Sequence, residues 1–339
     1  MSMRVILVTG SLPPEACGVG DYTQRLASAL ADAGQSVELL GNREWSMAGT
    51  RKALEKLSAD KNAIVHLQYP TMGYGYSLGP QLCIALRRGV VTLHEFSQAH
   101  PLRKLSLLPF AVRSSLLVMT SDGEASAMTA KMPWIRRRLR IIPIGSNIQP
   151  PVHLRYQRRA NIVYFGLIAP RKGLESFLEL ARLVRAENLN WDISIIGKTP
   201  PGQEHYQRRL KELSAPYNLQ WLLDRNGEAV SELLSMACAA YLPFPDGASE
   251  RRGSLKAAMT CGVPCITTSG AYTPPELSQA TMIAANPQQA LEHAKKTLED
   301  EGHRERFSRL SERYSRQYSW DIIAKLHMDL YEELRKSHG

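Results

Sequence analysis

The residues best suited to chemistry stand at the ends of short apolar runs. His94 and Glu95 directly follow Val90-Val-Thr-Leu93, at the carboxyl end of a predicted strand, a position that suits a ligand contact better than core packing. Arg171 and Lys172 precede Gly173 at the start of a helical pattern. The helix dipole mildly disfavours cations there unless an anion joins them. A lysine offers such an anion a point charge and an arginine a bidentate fork. Further along, Ser249-Glu-Arg-Arg-Gly-Ser-Leu255 feeds another helical pattern. Arg251 and Arg252 bring two positive charges to a helix N-terminus, whose own amides at Gly253, Ser254 and Leu255 are anion donors. Near the chain start, Gly18-Val-Gly20 permits close approach of backbone to a ligand. Asp21 reads as the N-cap of the helix that follows or as a contact in its own right. The Gly-x-Gly-x-x-Gly pattern is incomplete here, so a dinucleotide fingerprint is not indicated. His66, inside an apolar run, reads as a core histidine with a hydrogen-bonded ring, and Tyr74 and Tyr76 as rings for stacking or as plain surface loop.

The elements that must position these groups alternate, strand then helix, in two rounds. In the first, strands are predicted near 4–9, 36–40, 63–67, 89–93, 116–120 and 140–144, with a helix over 22–33 after the glycine-bearing loop. In the second they are predicted near 161–165, 192–196, 219–222, 239–242 and 264–268, with helices over 174–186, 205–213, 229–236 and 254–260. Buried apolar strands separated by helices argue parallel, doubly wound sheets. Gln149-Pro150-Pro151 opens a linker running to about Arg159. The expected architecture is α/β, with two Rossmann-like domains whose parallel sheets face a central cleft: 1–150, then 160–318, then a C-terminal helical segment over 319–339 packing back on the first domain. Such sheets place ligands beyond the carboxyl ends of their strands.

With 339 residues, 44% hydrophobic and 22% charged, the chain is long enough for two cores and is not of disordered or collagenous type. No run approaches the roughly 18 apolar residues of a membrane span. The five cysteines form no Cys-x-x-Cys pair and lack the histidine spacing of a zinc site, which suits packed thiols in a reducing, cytoplasmic compartment. The net charge of +10 is uneven, with 17 Lys and Arg against 10 Asp and Glu in residues 1–150. On charge alone, nucleotide phosphates, an anionic bilayer face and nucleic acid all qualify as partners. Arg103, Lys104 and Arg113 within the apolar stretch 101–117, and Lys131, Arg136, Arg137, Arg138 and Arg140 around Trp134, suit an interfacial face.

Taken in order, Phe165-Gly-Leu-Ile-Ala-Pro-Arg-Lys-Gly173, Ile195-Ile-Gly197, Cys261-Gly-Val-Pro264 and Tyr318-Ser-Trp320, with His94-Glu95 ahead of them, resemble the retaining family 4 glycosyltransferases of the GT-B fold over nearly the whole chain. The resemblance implies transfer of a sugar from a nucleotide-diphosphate donor, held mostly by the second domain, to a glycan or lipid-linked acceptor held mostly by the first. Cell-surface polysaccharide or glycolipid synthesis is the implied setting, on the inner face of the membrane, with no nucleic acid partner. It implies that His94 lies beside the donor sugar, that Lys172 and Arg171 hold the diphosphate, and that Gly18 and Gly20 face the phosphates. The family's usual arginine is Leu167 in this chain, and its two glutamates fall at Ser249 and Ala257, leaving Glu250, one position late, as the acidic group nearest the first. Arg252, Gly253, Ser254 and Leu255 stand where the diphosphate would be cradled. The departing diphosphate takes the acceptor proton, so no nucleophilic side chain is required, and with no Asp-x-Asp in the chain neither a metal nor another cofactor is expected. The departures from the family pattern keep a second reading open, a degenerate GT-B protein that binds or scaffolds.

Overall fold

In the computed structural model the strands of the first round are apolar and short, and all of them pair in parallel. The structure describes residues 2–15, 17–41, 44–97, 99–150 and 161–336. The expected linker over 149–159 lies outside these residues from position 151 onward. The first round runs β1 (Arg4–Val8), α1 (Gly18–Asp32), β2 (Ser36–Leu40), α2 (Met47–Ala59), β3 (Ile64–Tyr69), α3 (Gly79–Leu86), β4 (Val90–Leu93), α4 (Pro101–Ser106), α5 (Leu108–Arg113), β5 (Leu116–Met119), α6 (Asp122–Lys131) and β6 (Leu139–Ile141). Its six strands lie in the order β2-β1-β3-β4-β5-β6. The central strands β3, β4 and β5, and β1 after Arg4, are buried on both faces, as parallel sheets with crossover helices require, whereas the edge strands β2 and β6 are partly exposed.

The second round runs β7 (Asn161–Leu167), α7 (Leu174–Ala186), β8 (Asp192–Lys198), α8 (Glu204–Ser214), β9 (Leu219–Leu223), α9 (Gly227–Ser235), β10 (Ala239–Leu242), α10 (Gly253–Thr260), β11 (Cys265–Thr267), α11 (Pro275–Ala280), β12 (Met282–Ile283), α12 (Pro287–Glu299) and α13 (Glu301–Ser315). Its sheet is also parallel and six-stranded, ordered β12-β11-β10-β7-β8-β9. The two-residue β12 escapes sequence reading because so short a run carries no periodicity. The last helix, α14 (Trp320–Lys336), returns to the first sheet. Ile323, Ala324, Leu330 and Tyr331 enter the same core as Leu26 and Leu30 of α1. Trp320 lies where a side chain on Gly145 would be, its ring carbons within about 3 Å of a Cβ built there.

The chain thus forms two units, residues 1–145 with 317–339, and residues 146–316. All five cysteines are buried, and none of them forms a disulfide. Among the described residues no helix is long and apolar enough to cross a membrane.

Candidate functional site

In the second unit the loops leaving β7 and β10 are fitted to one another. Gly173, ahead of α7, has φ 84°, and a Cβ on it would stand 1.8 Å from the Pro243 carbonyl oxygen, just beyond β10. Arg171 also lies in the left-handed region at φ 63°, a conformation uncommon for a residue with a side chain. The turn is tied down by Tyr164, whose hydroxyl donates to the Lys172 carbonyl at 3.1 Å. Burial pushes the Tyr164 phenol well above its ordinary pKa, so it remains a donor. The outcome is a fixed turn that carries Arg171 exposed and Lys172 half-buried at the carboxyl end of the sheet. Leu167, where a cation was to be expected from the resemblance, is a partly exposed apolar side chain at the end of β7.

The loop over 243–252 is equally constrained. Thr268 donates its hydroxyl to the Phe244 carbonyl, Thr273 donates to the Ala248 carbonyl at 2.6 Å, and the Ala248 amide donates to the Thr268 carbonyl at 2.8 Å. Gly247, at φ 88°, and Gly270 touch backbone to backbone, with no space for a side chain on either. Arg252 occupies the N-cap position of α10 without capping it. Its guanidinium lies over the Phe244 ring, 4.7 Å from the centroid, and pairs with Asp246, while its Nε is buried without a partner. It is close enough to Tyr164 to act on that phenol's ionisation. Arg252 is thus turned inward over the β10 loop, whereas Arg251 is exposed. Gly253 and Ser254 begin α10 without a capping bond from the Arg252 side chain, and a Cβ on Gly253 would meet open space. Ser249 and Glu250 are half-buried just ahead of them, and Leu255 is buried in the core.

Sequence reading missed Lys256 in the first turns of α10. It is buried, and desolvation lowers its ammonium pKa to about 8 in spite of the opposing charge of Glu250. No periodicity flagged it, because a lysine among Leu255, Ala257, Ala258 and Met259 reads as the polar side of a helix when all five are in fact buried.

In the first unit, His94 follows β4 and its amide donates to the Tyr69 carbonyl at 2.8 Å. Its ring is half-buried, meets Tyr22 edge-on at 5.0 Å, and places Nε2 2.9 Å from Gln68 Oε1. Burial, helped by nearby His327, holds its pKa down at about 3, so it is neutral at pH 7. Glu95 is half-buried beside it. His66 is a core residue, with ring nitrogens 2.7 Å from both Tyr331 Oη and Thr92 Oγ1.

The glycine-bearing loop divides into two cases. A Cβ on Gly18 would meet open space, and α1 starts at Gly18 with no side chain capping its first amides. A Cβ on Gly20 would strike the Ser11 carbonyl oxygen at 2.6 Å, so this glycine is required by the loop's own packing. Asp21 is not the N-cap: Cys17 holds that position, and Asp21 lies in the first turn. Tyr74 is no free stacking ring either, being buried against Trp45 and Tyr69, whereas Tyr76 is fully exposed. Among the described residues no group of three or more His, Cys, Asp or Glu is placed to hold a metal ion.

Residues 146–313, nearly all of the second unit, match the family model of glycosyl transferases group 1. No protein of curated function matches the chain in sequence. Among solved structures, a glycosyltransferase from Rickettsia africae is similar with a TM-score of 0.75 at 12% identity, over 99% of this chain and 99% of its own. HepE from Anabaena, solved with UDP and glucose, is similar with a TM-score of 0.69 at 12% identity, over 98% and 100%. The catalytic domain of starch synthase IV from Arabidopsis thaliana, solved with ADP and acarbose, is similar with a TM-score of 0.64 at 13% identity, over 98% and 99%. The two Rossmann-like units are those of the GT-B fold, and the second carries a glycosyltransferase group 1 domain.

Proposed function

We propose that the protein is a retaining glycosyltransferase that moves a sugar from a nucleotide-diphosphate donor to a glycan or lipid-linked acceptor in cell-surface polysaccharide synthesis. The observation that carries this is the locked pair of loops in the second unit, where Gly173 against the Pro243 carbonyl and Arg252 over Phe244 set cations and the first amides of α10 at the carboxyl edge of one sheet. Charge preset in this way stabilises a departing diphosphate without reorganisation at the moment of reaction. Lys172 and Arg171 take the phosphate oxygens, joined by Arg252 and the amides of Gly253 and Ser254. Glu250 serves the donor sugar, and His94 of the first unit, neutral and half-buried, supplies a further sugar contact. The donor C1–oxygen bond breaks as the acceptor oxygen bonds to C1 on the same face, and the acceptor proton passes to the leaving phosphate. No step uses a metal, so chelators leave the rate unchanged. The UDP and ADP found in HepE and the starch synthase support a nucleoside diphosphate as the shared half of the donor.

The exposed apolar side chains of the first unit support a lipid-linked acceptor met at the inner face of a membrane. Leu78, at the N-cap of α3, and Leu82 and Leu86 within it recur every fourth residue, and Leu102, Leu105, Leu108 and Val112 are exposed on α4 and α5. Exposed Arg103, Lys131, Arg136 and Arg137 supply the charge for an anionic surface.

The deciding experiment compares ligands on Lys172→Ala. Transfer is expected to be abolished, and binding of nucleoside diphosphate to weaken much more than binding of the free nucleoside, as read from thermal shifts. Equal weakening of both would assign Lys172 to the fold or the base and remove the phosphate reading. Absence of turnover in the wild-type protein with UDP-, GDP- and ADP-sugars, alongside intact nucleotide binding, would favour the scaffold reading that the missing acids at Ser249 and Ala257 keep open.

A further inference from the structure

Behind His94 runs a chain of buried polar side chains that the transfer reaction does not explain. His66 and Gln68 alternate along β3, and Thr92 and His94 along and just beyond β4, which puts all four on one face of adjacent strands, with Gln68 directly opposite Thr92. His66, Gln68 and Thr92 have no exposed surface. Burying so much polarity in a sheet core costs stability unless every group is paired. The pairing is continuous: His94 Nε2 lies 2.9 Å from Gln68 Oε1, Gln68 Nε2 lies 3.2 Å from His66 Nε2, and the two ring nitrogens of His66 lie 2.7 Å from Thr92 Oγ1 and Tyr331 Oη.

The donors and acceptors along this chain constrain one another. Thr92 has one hydrogen-bond partner for its hydroxyl among the described residues, His66 Nε2. If the hydroxyl donates there, Nε2 is the bare nitrogen of His66, and Nδ1–H donates to Tyr331. The single lone pair of that Nε2 is shared in a three-centre bond, with the Thr92 hydroxyl at 2.7 Å and the Gln68 amide N–H at the longer 3.2 Å, which turns the amide oxygen towards His94. An amide oxygen only accepts, so His94 must carry its proton on Nε2. Its Nδ1 has no hydrogen-bond partner among the described residues.

We propose that Gln68 is a positioning residue for His94, holding the imidazole as the Nε2–H tautomer so that bare Nδ1 faces outward as a hydrogen-bond acceptor for a ligand hydroxyl, with His66 and Thr92 fixing the direction of the Gln68 amide. The kinetic consequence rests on the reading of His94 as a sugar contact, whereas the tautomer does not. An acceptor of this kind selects a sugar hydroxyl that can donate and repels an anion or carbonyl oxygen. It also needs the ring to stay neutral, as burial already ensures.

The test begins with the tautomer in the full-length wild-type protein carrying 15N-labelled histidine, with the His94 signals assigned through His94→Gln. At pH 7 the expected spectrum shows His94 protonated at Nε2 and bare at Nδ1, and a proton on Nδ1 would overturn the proposal. Gln68→Met, which fills the space without hydrogen bonds, is expected to relax the fixed tautomer to the mixture of a free neutral imidazole, in which a minor Nδ1–H form appears, and to lower kcat about tenfold or more with nucleoside diphosphate affinity unchanged. Gln68→Glu restores an acceptor towards His94 but adds a negative charge that stabilises the imidazolium. Its rate is therefore expected to fall at pH 6 and recover as pH rises, a pH profile absent from wild type. Unchanged tautomer in Gln68→Met would overturn the proposal. If the tautomer behaves as expected but His94→Ala turns over as wild type, the sugar contact fails and the positioning of His94 by Gln68 stands.

Discussion

Gly173 shows how one residue couples the two loops of the second unit. Its left-handed φ of 84° is open to glycine at no cost, and a methyl group would stand 1.8 Å from a backbone oxygen that has nowhere to move without disturbing β10. Gly173→Ala is therefore expected to cost on the order of 1–3 kcal/mol from the backbone conformation alone, with the clash adding to it. Because the displaced oxygen belongs to Pro243, at the head of the loop that carries Arg252, the variant should also lose affinity for nucleoside diphosphate. Chemical denaturation measures the first effect and calorimetric titration the second. A stable variant with wild-type affinity would show that the two loops are not held by this contact. The lysine beside it behaves differently: Lys172 is half-buried and free of steric demand, so its replacement should leave the folded state nearly untouched.

At the scale of elements, α14 closes the first sheet and brings His327 and Tyr331, four residues apart on one helical face, against His66. Burial lowers the pKa of all three neighbouring histidines, His94 to about 3, His327 to about 4, and His66 well below its ordinary value. In the unfolded chain each binds a proton near pH 6.5, so between pH 6.5 and about 4 the unfolded state holds more protons than the folded one. The histidine contribution to stability should consequently be level above pH 7 and fall as pH drops through that window. His327→Phe retains the ring volume and removes one of the three sites, so urea midpoints measured from pH 7 to pH 4 should decline less steeply than in wild type. An equal slope would place the acid sensitivity elsewhere. The sequence made the strands and most helices of this element set legible, because apolar runs and glycine stops report burial directly. It marked His66 and His94 as well, since a histidine inside or just after an apolar run stands out. Gln68 and Thr92 were not legible, because one polar residue in a strand looks the same whether it faces solvent or a buried partner. The partners from α14 are some 260 positions away, and only the tertiary fold brings them to His66. Lys256 was lost for a similar reason, a cation whose burial depends on neighbours from other elements. The Ser249 to Leu255 stretch, by contrast, was legible in sequence as a loop feeding a helix, and α10 starts at Gly253, but the inward direction of Arg252 depends on Phe244 and Asp246, which only the folded loop supplies.

For the molecule as a whole, the uneven charge resolves into arginines that hold the fold and arginines that do not. Arg87 donates to the carbonyls of Leu57 and Ala63, Arg113 to that of Ala85, Arg138 to those of Ala111 and Ser114, and Arg140 pairs with Glu333. Those bonds join α3, α5 and the turn around Trp134 into one surface region of the first unit, and they remove several cations from the account of any external partner. Arg103, Lys131, Arg136 and Arg137 remain exposed, as do Leu86, Leu105, Val112 and Trp134 of the same unit. Each basic residue close to an anionic bilayer contributes roughly 1 kcal/mol, so these four together suffice for reversible attachment, with the leucines and Trp134 adding shallow apolar contact. Co-sedimentation with vesicles of increasing anionic lipid content should show binding at low salt that weakens at high salt. Arg136→Glu with Arg137→Glu is expected to abolish it while leaving nucleoside diphosphate binding, which the proposal assigns to the second unit, intact. Leu86→Ser with Leu105→Ser should weaken the fraction of binding that survives high salt. Failure of the wild-type protein to bind anionic vesicles at low salt would remove the membrane from the proposal and leave a water-borne acceptor, because these four exposed cations, which have no ion-pair partner among the described residues, are the charge on which attachment depends.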